Sequence, residues 1–277
     1  MSTLASALGR SGLALALCLL PWVVTSACQG GTGEAGDPDA RVSRDATLGA
    51  DADGVGDGTV SGDLDAGIDT PSRWLTLDGV VNARDLGGYG GTGSATVGWR
   101  RLLRGGTLSD LTTQGCADFA DLGVTTVIDL RESGEQTLAP QPACVTSISN
   151  VVSVPMPRIS SPSEANYLAL LDQAEASVVL LFASLGQAGA GPAYVHCVIG
   201  RDRASIASAL LLLALGADRA AVLADFLLSN EAGVAVEAAH LEAVLDAIDT
   251  EGGIDAYLSG LGVTQAQLDQ LSAWALE

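Results

Sequence analysis

The sequence predicts an α/β protein, with a central and mostly parallel β-sheet flanked by helices on both faces. Three apolar segments of strand length, rich in β-branched residues, alternate with longer helical stretches. This alternation favours parallel pairing, because an intervening helix returns the chain to the edge where the next strand begins. Hydrophobic residues make up 48% of the chain and aromatic residues only 4%, so we expect an aliphatic core.

The first predicted elements alternate regularly along the chain. A helix over residues 109–122 precedes a β-branched strand over residues 124–130, and a second strand covers residues 147–155. Residues 163–185 predict either a helix pair or one long helix. A predicted helix therefore precedes the first of these strands, and another follows the second.

The remaining elements surround the most apolar part of the sequence. Residues 192–196 predict a third strand, and residues 206–215 are hydrophobic all round, as expected of a helix buried at the centre of a layered domain. Beyond residue 217 the pattern predicts amphipathic helices, with breaks at the glycine-rich residues 252–253 and 260–262. The chain thus has enough length and apolar content for one large core.

Residues 1–28 have the pattern of an export signal. Arg10 precedes an apolar run over residues 13–24, which is shorter than the roughly 18 to 20 residues of a membrane-spanning helix. Small residues directly before Cys28 resemble a bacterial lipobox, so we expect lipidation of Cys28 and a lipoprotein anchored in the cell envelope. The alternative is ordinary cleavage, which would leave a secreted or periplasmic soluble protein.

Residues 29–72 predict a disordered linker rich in glycine and aspartate. They contain ten acids against two arginines and no aromatic residue, so they repel themselves and have little to bury. The following residues 73–277 carry 23 acids against 10 arginines, and the whole chain has no lysine and a net charge of −20. This charge disfavours non-specific binding to nucleic acid or to anionic lipid, so we expect no nucleic-acid partner and membrane contact only through the N-terminal anchor.

One segment joins the third strand to the buried helix and combines a cysteine with an arginine. Cys197 and Arg203 delimit what we call the cysteine loop, residues 197–203. A loop of this length turns consecutive backbone N–H groups inward ahead of a helix N-terminus, which suits an oxyanion. Gly200 supplies backbone freedom, and the fork of Arg203 matches two phosphate oxygens. The same positive surroundings favour the nucleophilic thiolate of Cys197.

The cysteine loop resembles the HCxxGxxR signature of cysteine-based tyrosine and dual-specificity phosphatases, and most closely the bacterial tyrosine phosphatases with HCxxGKDRTG. Further blocks similar to that family follow in order: NARDLGGY at residues 82–89, LRGGTL at 103–108, VIDLR at 127–131 with Glu135, and DFLLSN at 225–230. The resemblance implies that residues 73–277 form a tyrosine-phosphatase-like catalytic domain with a cysteine-phosphatase-like fold.

The resemblance also implies roles for individual residues. Cys197 would be the nucleophile, Arg203 the phosphate clamp, and Asp202 the general acid, while His196 would orient the loop and help to keep the thiol ionised. Asp129 is the alternative acid, unless it is buried and bonded to the backbone or to a neighbouring arginine. The residues expected to bind the substrate phosphate are the rest of the cysteine loop: Val198, Ile199, Gly200 and Arg201.

Three positions depart from the family pattern, Ala83, Arg201 and Ala204, and only the last bears on the chemistry. Ala204 stands where the family has a hydroxyl residue, which helps the thiolate to leave when phosphocysteine is hydrolysed. Ser205 comes one residue later, about 100° further round the helix, so its hydroxyl should point elsewhere. We therefore expect a slow second step.

The sequence thus predicts hydrolysis of phosphomonoesters, with protein phosphotyrosine as the leading substrate and a small phosphomonoester as the other partner. Two alternatives are a phosphate- or phosphoprotein-binding module without turnover and a rhodanese- or arsenate-type thiol enzyme. No metal-ligand spacing is present, so we expect neither metal nor cofactor. An oxidising exterior could pair Cys116 with Cys144, although spacing alone does not decide this.

Overall fold

The computed structural model describes residues 71–277. The predicted export signal, the lipidation site Cys28 and residues 29–70 of the predicted linker lie outside the described residues. In the described part, five strands form one sheet: β1 Arg84–Asp85, β2 Leu102–Gly105, β3 Thr126–Asp129, β4 Asn150–Ser153 and β5 Ala193–His196. Their order is β1-β2-β5-β3-β4; β1 is antiparallel to β2, and the other neighbours are parallel. The predicted mostly parallel sheet is confirmed.

Helices connect and cover these strands. Their bounds are α1 Thr113–Asp121, α2 Ser133–Leu138, α3 Ala143–Thr146, α4 Glu164–Gln173, α5 Glu175–Leu185, α6 Asp202–Ala214, α7 Arg219–Leu227, α8 Ala238–Thr250, α9 Ile254–Leu261 and α10 Gln265–Ala275. A 3₁₀ turn, Leu228–Asn230, follows α7. Several helices begin at a side chain that accepts a hydrogen bond from a backbone N–H in the first turn: Thr112, Ser163, Asp218 and Thr264.

Most of the predicted elements are present, with shorter bounds. The strands β3, β4 and β5 lie within the three predicted strands, and α1 lies within the helix predicted over residues 109–122. Residues 163–185 form a helix pair, because α4 and α5 meet at Ala174 with a bend of 64°. No single described helix is long and apolar enough to cross a membrane. The strands β1 and β2 were not predicted, because β1 has only two residues and each strand contains a buried arginine, Arg84 or Arg104, that interrupts the apolar pattern.

The glycine breaks predicted near the C-terminus are only partly correct. Gly252 and Gly253 have φ of 98° and 90° and separate α8 from α9. Gly260, however, lies inside α9, which ends at Leu261, and the left-handed Gly262 with φ of 94° ends the helix.

The sheet has a hydrophobic core on each face. Successive strand residues alternate between the two cores: Val127 and Tyr194 pack with Phe119 of α1, whereas Ile128 and Val195 pack against the larger helical layer. The helix α6 runs through that layer and is buried at every residue from 203 to 212. Its predicted central position is therefore correct, and the cysteine loop just before it has a rigid support.

A disulfide joins Cys116 of α1 to Cys144 of α3. The two cysteines are 28 residues apart in the sequence and their Cα atoms are 5.8 Å apart. Among the cysteines of the described residues, Cys197 is the free one. The structure therefore settles the pairing that the sequence left open.

Candidate active site

The cysteine loop lies at the carboxyl edge of the parallel strands. It follows β5, whose His196 pairs in register with Gly105 of β2 on one side and with Asp129 of β3 on the other. Open α/β sheets bind ligands at this edge. The motifs at residues 103–108 and 127–131 are distant in the sequence from the cysteine loop, and the sheet brings them together beside it.

The carbonyl oxygens of the cysteine loop are held from outside the loop. His196 Nδ1 lies 2.9 Å from the carbonyl oxygen of Cys197, and the Thr107 amide donates to the carbonyl of Val198 at 2.9 Å. The Asn82 side-chain amide donates to the carbonyl of Ile199 at 3.4 Å. Each carbonyl is thus directed away from the centre of the loop.

Gly200 has the most constrained position in the loop. Its carbonyl accepts hydrogen bonds from Asn82 Nδ2 at 3.0 Å and from Arg104 Nη2 at 2.7 Å. Its φ is +69°, and a Cβ atom at this position would come within 2.5 Å of the Gly105 backbone. Glycine is required here both for the backbone angle and for the close approach.

The amides of the loop remain free to bind an anion. Within residues 71–277, no backbone N–H of residues 198–201 donates to a protein acceptor, although four consecutive carbonyls of residues 197–200 are bonded. The positive end of the α6 dipole lies at the same place. The arrangement is a cradle of donors for a tetrahedral oxyanion.

Arg203 is fixed at the start of α6 by a bidentate ion pair. Its Nη1 lies 2.6 Å from Glu135 Oε2, and its Nη2 lies 3.1 Å from Glu135 Oε1. Burial acts to lower the pKa of Arg203, but the bonds to Glu135 and the charge at Cys197 raise it above its ordinary value. For Glu135, burial acts to raise the pKa, and the hydrogen bond from Arg203 holds it below its usual range.

A buried cluster of charges supports the loop from behind. Asp225 accepts from Arg84 Nε at 2.9 Å and from Arg104 Nη1 at 2.7 Å. Burial works against ionisation of Asp225, but the two arginines hold its pKa below the ordinary value. Arg84 also donates to Asn82 Oδ1, so Arg84, Arg104 and Asn82 form one connected network around Gly200.

His196 is held as a neutral imidazole by its partners. Since a carbonyl only accepts, the Nδ1 atom facing Cys197 must carry the hydrogen, and Nε2 then accepts from Gln141 Nε2 at 2.8 Å. Burial lowers the pKa of His196, although Asp129 acts in the opposite direction. His196 therefore orients the loop through a hydrogen bond, and its imidazole carries no positive charge near neutral pH.

Asp129 is occupied by structural partners. Its carboxylate receives Arg131 Nε at 2.9 Å and Nη2 at 2.7 Å, and Gln141 donates to it at 2.9 Å. Burial acts to raise the pKa of Asp129, but the hydrogen bonds from Arg131 lower it below the ordinary value. Asp129 is therefore a buried acid paired with a neighbouring arginine, which was the alternative to a role as general acid.

Asp202 stands in the first turn of α6, beside the cysteine. Its Oδ1 accepts a hydrogen bond from the buried Tyr167 hydroxyl at 2.7 Å and another from Arg201 Nε at 2.9 Å. The Oδ2 atom receives no hydrogen bond from the described residues. Burial and the neighbouring Asp202 charge raise the pKa of Tyr167 above its ordinary value, so the phenol keeps its proton and acts as a donor.

The cysteine loop and Glu135 border a cavity of about 200 Å³. Its lining comprises Glu135, Arg158, Ile159, Cys197, Val198, Ile199, Asp202 and Arg203. A larger cavity of about 390 Å³ lies between α4, α8 and α9, but no cysteine, histidine or arginine lines it. No group of three or more His, Cys, Asp or Glu side chains in the described residues could hold a metal ion.

The hydroxyl of Ser205 points away from the cavity. It accepts a hydrogen bond from the buried Arg104 Nη2 at 2.7 Å, on the side of the charge cluster, and Ala204 is fully buried. Ser205 therefore does not replace the hydroxyl that the family carries at the position of Ala204.

All eight predicted site residues of the domain, 196–203, lie in one continuous unit. The sequence motifs contain Asn82, Arg104 and Asp225 but indicate no role for them. In the structure, these three residues hold the loop. Gln141 and Tyr167 were missed altogether. An amide or a tyrosine on a separate segment gives no local signal that it contacts a distant histidine or aspartate.

The mostly parallel sheet with the cysteine loop at its carboxyl edge is a cysteine-phosphatase-like fold. Residues 75–277 match the family model described as the tyrosine phosphatase family. The chain belongs to this family and is a protein-tyrosine-phosphatase-like phosphoric monoester hydrolase.

Two relatives and one solved structure illustrate the similarity. A Cupriavidus necator protein named as a tyrosine-protein phosphatase is 30% identical over 235 residues, covering 70% of this chain and 86% of its own. The triple specificity protein phosphatase PtpB of Mycobacterium tuberculosis is 28% identical over 190 residues, covering 54% and 68%. The core catalytic domain of the PP-IP phosphatase Siw14 from S. cerevisiae aligns with 11% identity and a TM-score of 0.40, covering 63% of this chain and 91% of that one.

Proposed function

We propose that the chain hydrolyses phosphomonoesters in two steps through a phosphocysteine intermediate. In the first step the Cys197 thiolate attacks phosphorus, the bond from phosphorus to the leaving oxygen breaks, and Asp202 gives that oxygen its proton. In the second step water attacks the phosphocysteine, the Asp202 carboxylate takes a proton from the water, and the Cys197 thiolate leaves. Atoms and protons balance over the cycle.

The orientation of the loop backbone carries this proposal. Four consecutive carbonyls are bonded outward while the amides between them are unbonded, so the donors of residues 198–201 are available for the equatorial phosphate oxygens. Arg203 adds the N–H groups that its bonds to Glu135 leave free, on Nε and Nη2, and Glu135 already orients them. Donors that are oriented before substrate binds need no reorganisation in the transition state.

The position of Asp202 supports its role as general acid. Tyr167 and Arg201 both bind Oδ1, which leaves Oδ2 for the proton. Oδ2 is therefore the atom from which the leaving oxygen would take its proton.

We further propose phosphotyrosine as the preferred substrate. Val198 and Ile199 expose 39% and 37% of their surface beside the cavity, where an aromatic leaving group would find apolar contact. The name of the C. necator relative points the same way, whereas the name of the M. tuberculosis relative implies more than one specificity. Phosphoserine, phosphothreonine and phosphoinositides are the competing substrates, and the net charge of −20 disfavours the multiply charged lipids.

A para-nitrophenyl phosphate assay tests the function. The wild-type chain should turn over, Cys197→Ser should lose all measurable turnover, and Asp202→Asn should lose about 10²-fold or more in kcat. Asp121→Asn, which removes an exposed carboxylate at the end of α1, is the matched control and should not change the rate. Phosphate binding without turnover in the wild type would favour the binding module that Ala204 suggests, and sulfur transfer from thiosulfate would favour the thiol enzyme.

We also propose that the chain is exported and anchored through Cys28. The Cys116–Cys144 disulfide supports an oxidising compartment. Membrane fractionation of wild type and Cys28→Ser tests the anchor: the variant should move to the soluble fraction, and an unchanged distribution would contradict lipidation at this cysteine.

A further inference from the structure

Arg158 is a rim cation of the active-site cavity whose guanidinium has no close partner. Its Nε lies 3.7 Å from Glu135 Oε1, and its side chain is 66% exposed. By contrast, Arg203 is committed to Glu135 at 2.6 Å, and Arg201 to Asp202 at 2.9 Å. Among the arginines next to the cysteine, Arg158 is therefore the one that can leave its present position at little cost.

The backbone that carries Arg158 is firmly placed. Arg158 lies on the segment between β4 and α4, where the Met156 amide donates to the carbonyl of Leu130 at 3.1 Å. The Ser177 hydroxyl donates to the carbonyl of Pro155 at 2.6 Å, and Met156 is buried. Pro157 restricts the backbone immediately before Arg158. The backbone thus keeps the Arg158 side chain at the cavity, and its guanidinium remains free to bind an anion.

Glu135 links Arg158 to the phosphate clamp. The same carboxylate fixes Arg203 and lies 3.7 Å from Arg158, so both guanidiniums lie next to one side chain. An anion held by Arg158 would therefore lie near a phosphate held by Arg203. Arg158 also offsets the net charge of the chain, −20, at the one place where an anionic substrate must enter.

We propose that Arg158 determines specificity by binding a second anionic group beside the phosphate that is cleaved, an inference that rests on the proposed function. The substrates that fit are phosphotyrosine peptides with Asp or Glu next to the phosphotyrosine. The competing interpretation is structural: Arg158 would only shield the charge of Glu135 and so help to hold Arg203.

Two phosphotyrosine peptides that differ only in Glu or Gln on both sides of the phosphotyrosine separate these interpretations. The full chain should show a kcat/KM about fivefold higher for the Glu peptide, the ratio expected from one exposed ion pair of about 1 kcal/mol. Arg158→Gln should remove this preference, and added salt should reduce it in the wild type. Arg101→Gln removes the same charge from an exposed residue before β2, at the opposite edge of the sheet, and should keep the preference.

The para-nitrophenyl phosphate rate distinguishes failure of this inference from failure of the proposed function. Equal rates for both peptides in the wild type, or a preference that survives in Arg158→Gln, would overturn the inference while leaving phosphatase activity intact. An equal loss on both peptides and on para-nitrophenyl phosphate in Arg158→Gln would show the structural role instead. Absence of turnover on all three substrates in the wild type would remove the proposed function and this inference with it.

Discussion

Arg104 Nη2 lies 2.7 Å from the carbonyl oxygen of Gly200 and donates a hydrogen bond to it. Arg104 is buried, and burial together with the nearby Arg84 lowers its pKa to about 10, so the guanidinium is still charged near neutral pH. A buried charge thus holds the tightest turn of the cysteine loop from outside. Contacts within the folded protein therefore support the donor cradle.

Replacing Arg104 with lysine should disturb the loop more than the fold. A lysine keeps the charge beside Asp225 but cannot bond Gly200, Ser205 and Asp225 together, because it lacks the planar fork. We expect kcat/KM for para-nitrophenyl phosphate to fall by about tenfold to a hundredfold, since small misplacement of catalytic donors is costly. Circular dichroism should show that the fold is kept.

Arg219→Lys is the matched control for that variant. Arg219 also makes a forked ion pair, with Asp246 and Asp249, but on the surface. Its substitution should leave kcat/KM unchanged. Wild-type activity in a folded Arg104→Lys protein would contradict the assigned role of the buried guanidinium.

Glu135→Gln should weaken phosphate binding. The neutral side chain keeps the shape of Glu135 but no longer fixes both nitrogens of Arg203 with a full charge. We expect the inhibition constant of inorganic phosphate to rise about tenfold, with a smaller effect in Glu175→Gln, which removes an exposed carboxylate from α5. An unchanged inhibition constant would mean that Arg203 is oriented without Glu135.

Asp225→Asn should destabilise the protein in a pH-dependent manner. Arg84 and Arg104 hold the pKa of Asp225 below the ordinary value of about 3.9, so its ionised form stabilises the fold above that pH. Removing one partner of a buried ion pair costs roughly 3–5 kcal/mol, which we expect at pH 7. This difference should shrink as the pH falls through the lowered pKa, where wild-type Asp225 also loses its charge.

Urea unfolding of wild type and Asp225→Asn at pH 7, 5 and 3 measures this difference. A stability gap that stays constant over this range would show that the carboxylate charge contributes nothing beyond its hydrogen bonds.

Ala204→Ser should accelerate the second chemical step. The variant restores a hydroxyl in the family's position, whereas the existing Ser205 hydroxyl is bonded to Arg104. The wild type should show a burst of para-nitrophenol followed by a slower steady state, and Ala204→Ser should reduce the burst and raise kcat. Rapid-quench kinetics check both, and a wild type without a burst would contradict a slow second step.

The sequence was most informative where chemistry is local. The strand, loop and helix around Cys197 lie within one short segment, so residue type and spacing alone predict a sulfur, free amides and an arginine at one site. The burial of α6 was equally readable, since its apolar residues cover every face.

The supports of the loop could not be predicted in the same way. Asn82, Arg104 and Asp225 come from three distant segments and meet only through the sheet order β1-β2-β5 and the packing of α7. Tyr167 lies on α4 and reaches Asp202 at the start of α6 across 35 residues of sequence. Such contacts depend on tertiary geometry, which leaves no periodic signal in the sequence.

Acid quenching of the full chain during turnover of para-nitrophenyl phosphate, followed by mass spectrometry of its peptides, tests the central proposal most directly. The account predicts that phosphate is found on Cys197 in the wild type and on no residue in Cys197→Ser. Phosphate on another side chain, or continued turnover by Cys197→Ser, would contradict it.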